Sequence, residues 1–318
     1  MNDLIVIVSV DWEPDHGRWI YSGSEIDCGG VLKGTPAFCR LLDDLEIPCT
    51  WFVETSYDPK RNLPSRYPEL VQLIGNRKKD EIGLHIHWRK PTADNSIYYE
   101  TEDVDWVSAQ LEHGVRQLEA QGARPTAFRS GARLHVTDLP RILKTLGFQV
   151  DSSTLWGRAN RLTSNRRKIA QRSTWARVGS LLRRALDAPS EPYFTSERSV
   201  EQHGSSGIVE LPITYSLFAL KRWPQEFLSR YFRYRASMMG GVGYLMLFFH
   251  IDELTAAESG PDDKARLDSD MIQHFRRHLI DLKKQGARFL TCSAARSYWL
   301  KEAKGEQAHP SSKEGMAR

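Results

Sequence analysis

The chain has 318 residues, of which 40% are hydrophobic and 26% are charged, and its formal net charge at pH 7 is +4. This composition is typical of a globular protein with a substantial core, long enough for one large domain or two ordinary ones. The small net charge gives no reason to expect nucleic-acid binding, and no apolar run approaches the roughly 18 residues of a membrane-spanning helix.

The N-terminal segment and the cysteines favour a cytoplasmic location. The first apolar run is about eight residues long and has neither a basic leader nor a small-residue cleavage site, so it is typical of a first core strand. Cys49 and Cys292 lie in apolar, strand-like runs without CxxC spacing. We expect them to be buried thiols rather than ligands or disulfides.

Strand-like runs alternate with helical patterns along most of the chain. The predicted strands cover residues 5–13, 49–54, 81–87, 126–130, 148–152, 244–250 and 288–293. The predicted helices begin at Thr35 and at Tyr67 and cover about 102–120, 137–146 and 265–284. Such alternation predicts parallel strands joined by right-handed crossovers, and about seven of them suffice for an α/β barrel that does not fully close.

The domain organisation follows from the same pattern. We expect a single domain over residues 1–300, interrupted by a basic insertion at about 156–206. The polar residues 301–318 are expected to form a disordered tail. No internal repeat is evident.

Polar side chains stand at the C-terminal ends of several predicted strands. Asp11 and Glu13 end the first strand, His85 and His87 end the third, and His250 ends a strand rich in Leu and Phe. Residues two apart on a strand point to the same side, and the C-terminal ends of parallel strands form the catalytic face of α/β folds. Two imidazoles and one carboxylate make a hydrolytic metal site of the kind that zinc occupies. The second carboxylate is then available as a base, and His250 as an acid for the leaving group.

The same residues are also compatible with proteins of two different classes. A glycosidase on a similar barrel would use Asp11 or another acid as nucleophile and need no metal. A catalytically inactive glycan-binding protein would keep the histidines for structure alone. Taken singly, a His-x-His pair is often just polar surface, and a buried histidine is often hydrogen-bonded in the core. The convergence of these motifs at the ends of parallel strands favours one shared metal site.

Four longer segments follow the order of motifs in a known enzyme family. They are GTPAFCRLLDDLEIPCTWFVE, YPELVQLIGNRKKDEIGLHIHW, AFRSGARLHVTDLPRILKTLGFQVDSS and LFFHIDEL. They resemble the polysaccharide deacetylase family, the NodB-homology domain of carbohydrate esterases, over roughly residues 3–153 and 207–298. The resemblance implies a distorted (β/α) barrel and the removal of an acetyl group from an N-acetylated sugar.

The resemblance also implies roles for the residues that take part in proton transfer. Asp11 matches the catalytic base, and Arg129 matches the arginine that pairs with that base and favours its ionised form. His250 matches the general acid. Asp151 lies, by a loose match, where an acidic residue orients the catalytic histidine.

The metal ligands match the family pattern less closely. Glu13 stands at the position of a commoner aspartate, and His85 matches the first histidine. The second histidine usually follows four residues later, where this chain has Arg89, and His87 is the nearest substitute. The usual prolines and tyrosine after the arginine motif are replaced by residues 130–132, so the resemblance does not extend to the backbone oxyanion donor of that loop. We expect a divalent metal, zinc by preference, bound by Glu13, His85 and His87 in an active enzyme.

A strongly basic segment lies outside the resemblance. Between residues 156 and 185, nine residues are Arg or Lys and none is acidic. The stretch RRKIAQRSTWARVGSLLRRA also carries an apolar stripe at helical spacing. The segment 158–184 would contact an anionic membrane surface, bind a phosphate of the substrate through Arg, or simply pack on the barrel. The substrate expected on this basis is a surface polysaccharide or its lipid- or nucleotide-linked precursor, processed in the cytoplasm or at the inner face of the membrane.

Overall fold

The structure is a computed structural model of the chain. It describes residues 3–15, 28–91, 98–100, 103–131, 136–155, 191–216, 230, 241–257 and 265–308. The basic segment 158–184 lies outside the described residues, as do residues 309–318. Among the helices of the described part, none is long and apolar enough to cross a membrane.

The secondary structure alternates between helices and strands. The described helices are α1 (Gly29–Leu45), α2 (Leu63–Arg66), α3 (Pro68–Asn76), α4 (Val104–Glu119), α5 (Leu139–Thr145), α6 (Ser269–Lys284) and α7 (Cys292–Ala308). The strands are β1 (Leu4–Trp12), β2 (Thr50–Glu54), β3 (Glu81–Ile86), β4 (Arg89–Pro91), β5 (Tyr98–Glu100), β6 (Ala127–Ser130), β7 (Val150–Asp151), β8 (Tyr193–Phe194), β9 (Val209–Glu210), β10 (Tyr215–Ser216), β11 (Gly243–His250), β12 (Thr255–Ala257), β13 (Ala265–Leu267) and β14 (Arg288–Phe289). A short 3-10 helix, Ile251–Leu254, follows β11.

One large sheet organises the fold. Its strand order is β10-β11-β1-β2-β3-β6-β7-β9-β8, and β14 pairs with β1 beside β2. The ladders are parallel except for that between β8 and β9. All seven predicted strands lie in this sheet. The α/β class is therefore confirmed, and the curled, mainly parallel sheet is the distorted barrel that the sequence predicts.

Several boundaries differ from the predictions. Helix α1 begins at Gly29 rather than at Thr35, and α6 begins at Ser269, where Asp268 caps it through the backbone N–H of Met271 at 2.9 Å. Residues 193–194, expected in the insertion, form the edge strand β8. Helix α7 continues to Ala308, although a disordered tail was expected from residue 301. Its first turns pack against the inner core through Cys292 and Ala295, and an anchored helix extends more readily than an isolated one.

Two hydrophobic clusters lie on the two sides of the sheet. The even-numbered residues of Leu4–Val10 pack toward the helices, whereas Ile5 and Ile7 pack inside the curl of the sheet. Because side chains alternate along a strand, Ser9 and Asp11 follow Ile5 and Ile7 on the inner face. Neighbouring strands are in register with β1 and β3 and bring further polar side chains to this face: Glu54, His85, Arg129 and His250. Cys49 and Cys292 are buried thiols, as predicted.

Candidate active site

A buried ion pair joins the first strand to the arginine motif. Arg129 Nη1 donates to Asp11 Oδ1 at 2.7 Å, and Arg129 Nε donates to the carbonyl oxygen of Ser152 at 2.9 Å. Burial alone would raise the pKa of Asp11, but the Arg129 guanidinium, followed by His85 and His250, holds that pKa below its ordinary value. Asp11 is therefore ionised and can accept a proton.

The ring of His85 is oriented like a metal ligand. Its Nδ1–H donates to the carbonyl oxygen of Arg129 at 2.9 Å, which leaves the Nε2 lone pair pointing into the site. Nε2 lies 3.7 Å from Glu13 Oε2 and 3.8 Å from Asp11 Oδ2. It is buried and makes no hydrogen bond within the described residues. A buried nitrogen without a hydrogen bond is costly, and a cation between the ring and these carboxylates would satisfy it.

Glu13 lies at the centre of the cluster. Its Oε2 is 2.7 Å from His87 Nε2 and 3.7 Å from Arg61 Nη2, and its Oε1 is 3.2 Å from His250 Nε2. Burial would raise the pKa of Glu13, but the surrounding imidazoles, His87 first, lower it well below its ordinary value. Glu13 is therefore an ionised carboxylate among histidines.

His87 reaches this cluster because Gly131, the residue that faces its ring just after β6, has no side chain. His87 follows Ile86, the last residue of β3. A Cβ atom on Gly131 would lie 2.5 Å from Cγ and Cδ2 of the His87 ring, far inside contact distance. The adjacent Ser130 is held by Trp88, whose Nε1 donates to the serine Oγ at 2.7 Å. The absence of a side chain at Gly131 thus makes room for His87, two residues after His85.

His250 is placed to donate a proton. Its Nε2 faces Glu13, while its Nδ1 lies 3.0 Å from Glu253 Oε1, which also accepts from the His250 backbone N–H at 3.1 Å. Burial would lower the pKa of His250, but hydrogen bonds to Glu13 and Glu253 raise it well above its ordinary value. The two carboxylates therefore favour the protonated form of the ring. Glu253 was not identified from the sequence, although an acid three residues after a strand end is a known capping pattern.

The expected contact between Asp151 and His250 is not made. Val150, next to Asp151, packs in the inner cluster, and Asp151 is in register with Phe128, which packs toward the helices. Asp151 therefore faces the opposite side of the sheet from His250. Glu253 holds the Nδ1 side of the His250 ring instead, and Glu13 faces its Nε2.

Asp151 instead belongs to a second buried pair of acids. It is in register with Glu210 on β9, and it accepts a hydrogen bond from Ser153 Oγ at 2.5 Å. Glu210 Oε1 accepts from the backbone N–H and the hydroxyl of Thr154 at 2.9 and 2.6 Å. Burial raises the pKa of Asp151 to about 6, and burial together with the neighbouring Asp151 raises that of Glu210 well above its ordinary value. The pair therefore retains a proton near neutral pH.

A further ion pair borders the site and was not identified from the sequence. Arg61 Nε and Nη2 donate to Glu54 Oε1 and Oε2, both at 2.8 Å. Glu54 ends β2 and is in register with His85, so it lies on the inner face. An arginine in a loop is usually solvated, and nothing in the local sequence indicates that Arg61 turns inward.

The donor set fits a divalent cation. The ligand atoms of Glu13, His85 and His87 lie within 4.8 Å of one another, and so do those of Asp11, Glu13 and His250. The first set is the better candidate, because Asp11 is already paired with the Arg129 guanidinium, whereas the anchored ring of His85 directs its Nε2 toward Glu13. Two imidazoles and a carboxylate suit zinc, and other divalent metals also accept them.

Comparison with known proteins identifies the fold. No protein-family profile and no curated protein matches the chain. Among solved structures, a Mycobacterium smegmatis protein that carries the name polysaccharide deacetylase matches with 15% identity and a TM-score of 0.54, over 100% of this chain and 94% of that one. A Pseudomonas aeruginosa PAO1 protein of the same name matches with 13% identity and a TM-score of 0.53, over 93% and 89% of the two chains. Puue allantoinase matches with 13% identity and a TM-score of 0.53, over 91% and 87%. At such identities the likeness concerns the fold, and the fold of this chain is that of the polysaccharide deacetylases in a divergent form.

Proposed function

We propose that the chain is a metal-dependent hydrolase that removes the N-acetyl group from a sugar. The observation that carries this proposal is the cluster of Glu13, His85 and His87 directly beside Asp11, which Arg129 keeps ionised. The arrangement supplies a ligand set and a separate base within one buried site. A metal-independent glycosidase would have no use for a buried histidine nitrogen aimed at two carboxylates.

The residues divide the chemistry of amide hydrolysis between them. A divalent cation held by Glu13, His85 and His87 would supply Lewis acidity toward the acyl oxygen and the attacking water. Asp11 takes the proton that this water loses as its oxygen bonds to the acyl carbon. His250, whose pKa Glu13 and Glu253 raise, gives a proton to the amine nitrogen as the carbon–nitrogen bond breaks. The products are acetate and the free amino sugar.

The substrate class rests on likeness of fold and not on any bound ligand. Two of the similar structures carry the name polysaccharide deacetylase, which supports an acetylated glycan as substrate. Puue allantoinase has a comparable TM-score, so a small cyclic amide is the competing substrate to include in a screen. The fold alone does not choose between them.

The first experiment is elemental metal analysis of the purified wild type beside the His85→Ala and His87→Ala variants. We expect about one equivalent of zinc or a similar metal in the wild type, and its loss in both variants. Acetate release from N-acetylated amino-sugar oligomers should then stop with a chelator and return with zinc. The Asp11→Asn variant is the matched control, because it should keep the metal and lose turnover. A wild type that binds no metal after reconstitution would rule out this mechanism.

We also propose that the substrate is a lipid- or nucleotide-linked precursor of a surface polysaccharide, and that the protein acts on it in the cytoplasm, at the inner face of the membrane. This part rests on the sequence of the basic segment 158–184 alone. Replacing Arg166, Arg167, Arg183 and Arg184 by Gln should weaken binding to anionic vesicles, or turnover of a diphosphate-linked sugar but not of the free sugar. If vesicle binding and turnover of both sugars stay as in the wild type, this proposal is wrong.

A further inference from the structure

A buried arginine bridges two carboxylates at the wall of the site. Arg61 Nη2 lies 2.8 Å from Glu54 Oε2 and 3.7 Å from Glu13 Oε2. The side chains of Arg61 and Glu54 are only 11% and 1% exposed. The first contact is a full hydrogen bond in a two-pronged pair, whereas the second is a charge contact beyond hydrogen-bond distance.

The backbone holds both members of the pair in place. Glu54 is the last residue of β2, and the next residue, Thr55, donates its backbone N–H to the carbonyl oxygen of His85 at 3.2 Å. Arg61 lies in a turn in which its N–H donates to the carbonyl oxygen of Asp58 at 2.9 Å. The position of the guanidinium relative to Glu13 is therefore set by a strand end and a closed turn.

Stability alone does not explain an ion pair at this place. Moving two charges out of water costs several kcal/mol each, so buried ion pairs are often no more stabilising than apolar residues of the same size. In some proteins such pairs serve instead to fix an arrangement of polar groups. The arrangement next to Arg61 and Glu54 is the set of candidate metal ligands.

Arg61 contacts Glu54 closely and Glu13 only loosely, and this difference depends on the charge of Glu54. If Glu54 lost its charge, Glu13 would be the nearest carboxylate in contact with Arg61, and a guanidinium prefers a two-pronged carboxylate partner. Arg61 would then shift from Glu54 toward Glu13. A carboxylate engaged by arginine in this way binds a cation less well, because the guanidinium competes for the same oxygens.

We propose that Glu54 is a positioning residue of the metal site, which keeps the Arg61 guanidinium away from Glu13 so that Glu13 serves as a ligand. This inference rests on the metal site of the proposed function. It assigns a role to two residues that lie outside the ligand set.

The test is a double-mutant cycle on metal affinity. Zinc affinity is measured by competition with a chromophoric chelator, and coordination by the visible spectrum of the cobalt(II) form. Glu54→Gln should weaken zinc binding by about 10-fold to 100-fold, the usual cost of losing a supporting partner of a ligand. The double variant Glu54→Gln with Arg61→Gln should recover binding to within about 3-fold of the wild type, because the competing cation is gone.

A matched control is available at the opposite end of the same strands. Arg77 and Asp80 form another largely buried pair, with Arg77 Nε donating to Asp80 Oδ2 at 2.7 Å, and Asp80 also accepts from the Cys49 N–H at the start of β2. Asp80→Asn should lower the melting temperature while zinc affinity stays unchanged.

Three outcomes would overturn the inference. The first is a Glu54→Gln variant that binds zinc with wild-type affinity. The second is a double variant that binds zinc no better than Glu54→Gln, which would indicate that the pair is merely structural. The third is a wild type that binds no metal. Because the assay needs no substrate, a wild type that binds zinc but releases no acetate would contradict the proposed reaction and leave this test intact.

Discussion

The closest steric constraint on the candidate site is the approach of Gly131 to His87, and Gly131→Ala tests it directly. The new Cβ would lie 2.5 Å from two carbons of the imidazole. Ordinary carbon–carbon contact begins at about 3.5 Å, so the ring or the loop must move by about 1 Å. Ser130, the preceding residue, is tied to Trp88, so we expect the ring to move rather than the backbone.

A shift of this size is large for a metal ligand. Coordination distances are held to within about 0.2 Å, so a histidine displaced by about 1 Å no longer contributes fully. We expect zinc affinity to fall at least about 10-fold, which is about 1.4 kcal/mol, and the unfolding free energy to fall by about 1–3 kcal/mol from overpacking.

The assay is the same zinc competition, run on four variants. Gly131→Ala is compared with Gly75→Ala, in helix α3, where the nearest atom to a new Cβ is Ile82 Cδ1 at 4.0 Å. Gly75→Ala should keep wild-type affinity and gain about 0.5–1 kcal/mol of stability. In a His87→Ala background, Gly131→Ala should cost little further unfolding free energy, because the ring it displaces is absent. Wild-type affinity in Gly131→Ala, or additive losses in the double variant, would refute the steric reasoning.

Three further predictions concern the buried charges around the site. Arg129→Met leaves Asp11 buried without its cation and should lower the unfolding free energy in urea by about 3–5 kcal/mol; a loss below about 1 kcal/mol would show that the pair is not desolvated. Burial raises the folded-state pKa of both Asp151, to about 6, and Glu210, so their stabilising contribution is complete below about pH 4 and is lost as the pH rises through the folded values. Glu210→Gln should therefore gain stability relative to the wild type as the pH rises from 4 to 8, and parallel stability curves would contradict this. Glu253→Gln should lower kcat roughly 10-fold at unchanged zinc affinity, and an equal loss of zinc affinity would contradict its assignment to the general acid.

The sequence predicted the elements whose apolar pattern is local. Strand β1 and its neighbours are long enough for their alternation to be read directly. The two-residue strands β8 and β9 are defined only by pairing between distant segments. The start of α1 was not predicted, because it too depends on contacts with a distant segment. A Cβ on Gly34 would lie 2.9 Å from the carbonyl oxygen of Ile251, so the first turns of α1 pack closely against the segment after β11. Pro36 indicated a later start, because proline usually marks the first turn of a helix.

The sequence predicted those residues of the candidate site whose direction follows from the alternation of side chains along a strand. Asp11, His85 and Arg129 lie on long or well-paired strands, and the period of two places them on one face. Asp151 was misplaced because β7 contains only two residues, too few for the pattern to show which of them points inward. Gly131 gave no indication of its importance, since the absence of a side chain has meaning only when the neighbouring ring is known.

The buried acids and arginines of the candidate site surround the carboxylate of Glu13. Asp11, Glu13 and Glu54 are buried acids, and Arg61 and Arg129 are buried cations, so these five side chains together carry one net negative charge. Each arginine pairs most closely with one acid, and Glu13 is the acid that lies among the histidines. A divalent cation bound there would turn the net charge positive and favour the negative charge that develops on the acyl oxygen. Removing one member of either ion pair would leave a buried charge uncompensated, so the two pairs fix the arrangement of carboxylates around Glu13. In the proposed hydrolase, His87, the space left by Gly131 and the Arg61–Glu54 pair would together shape the metal site around Glu13.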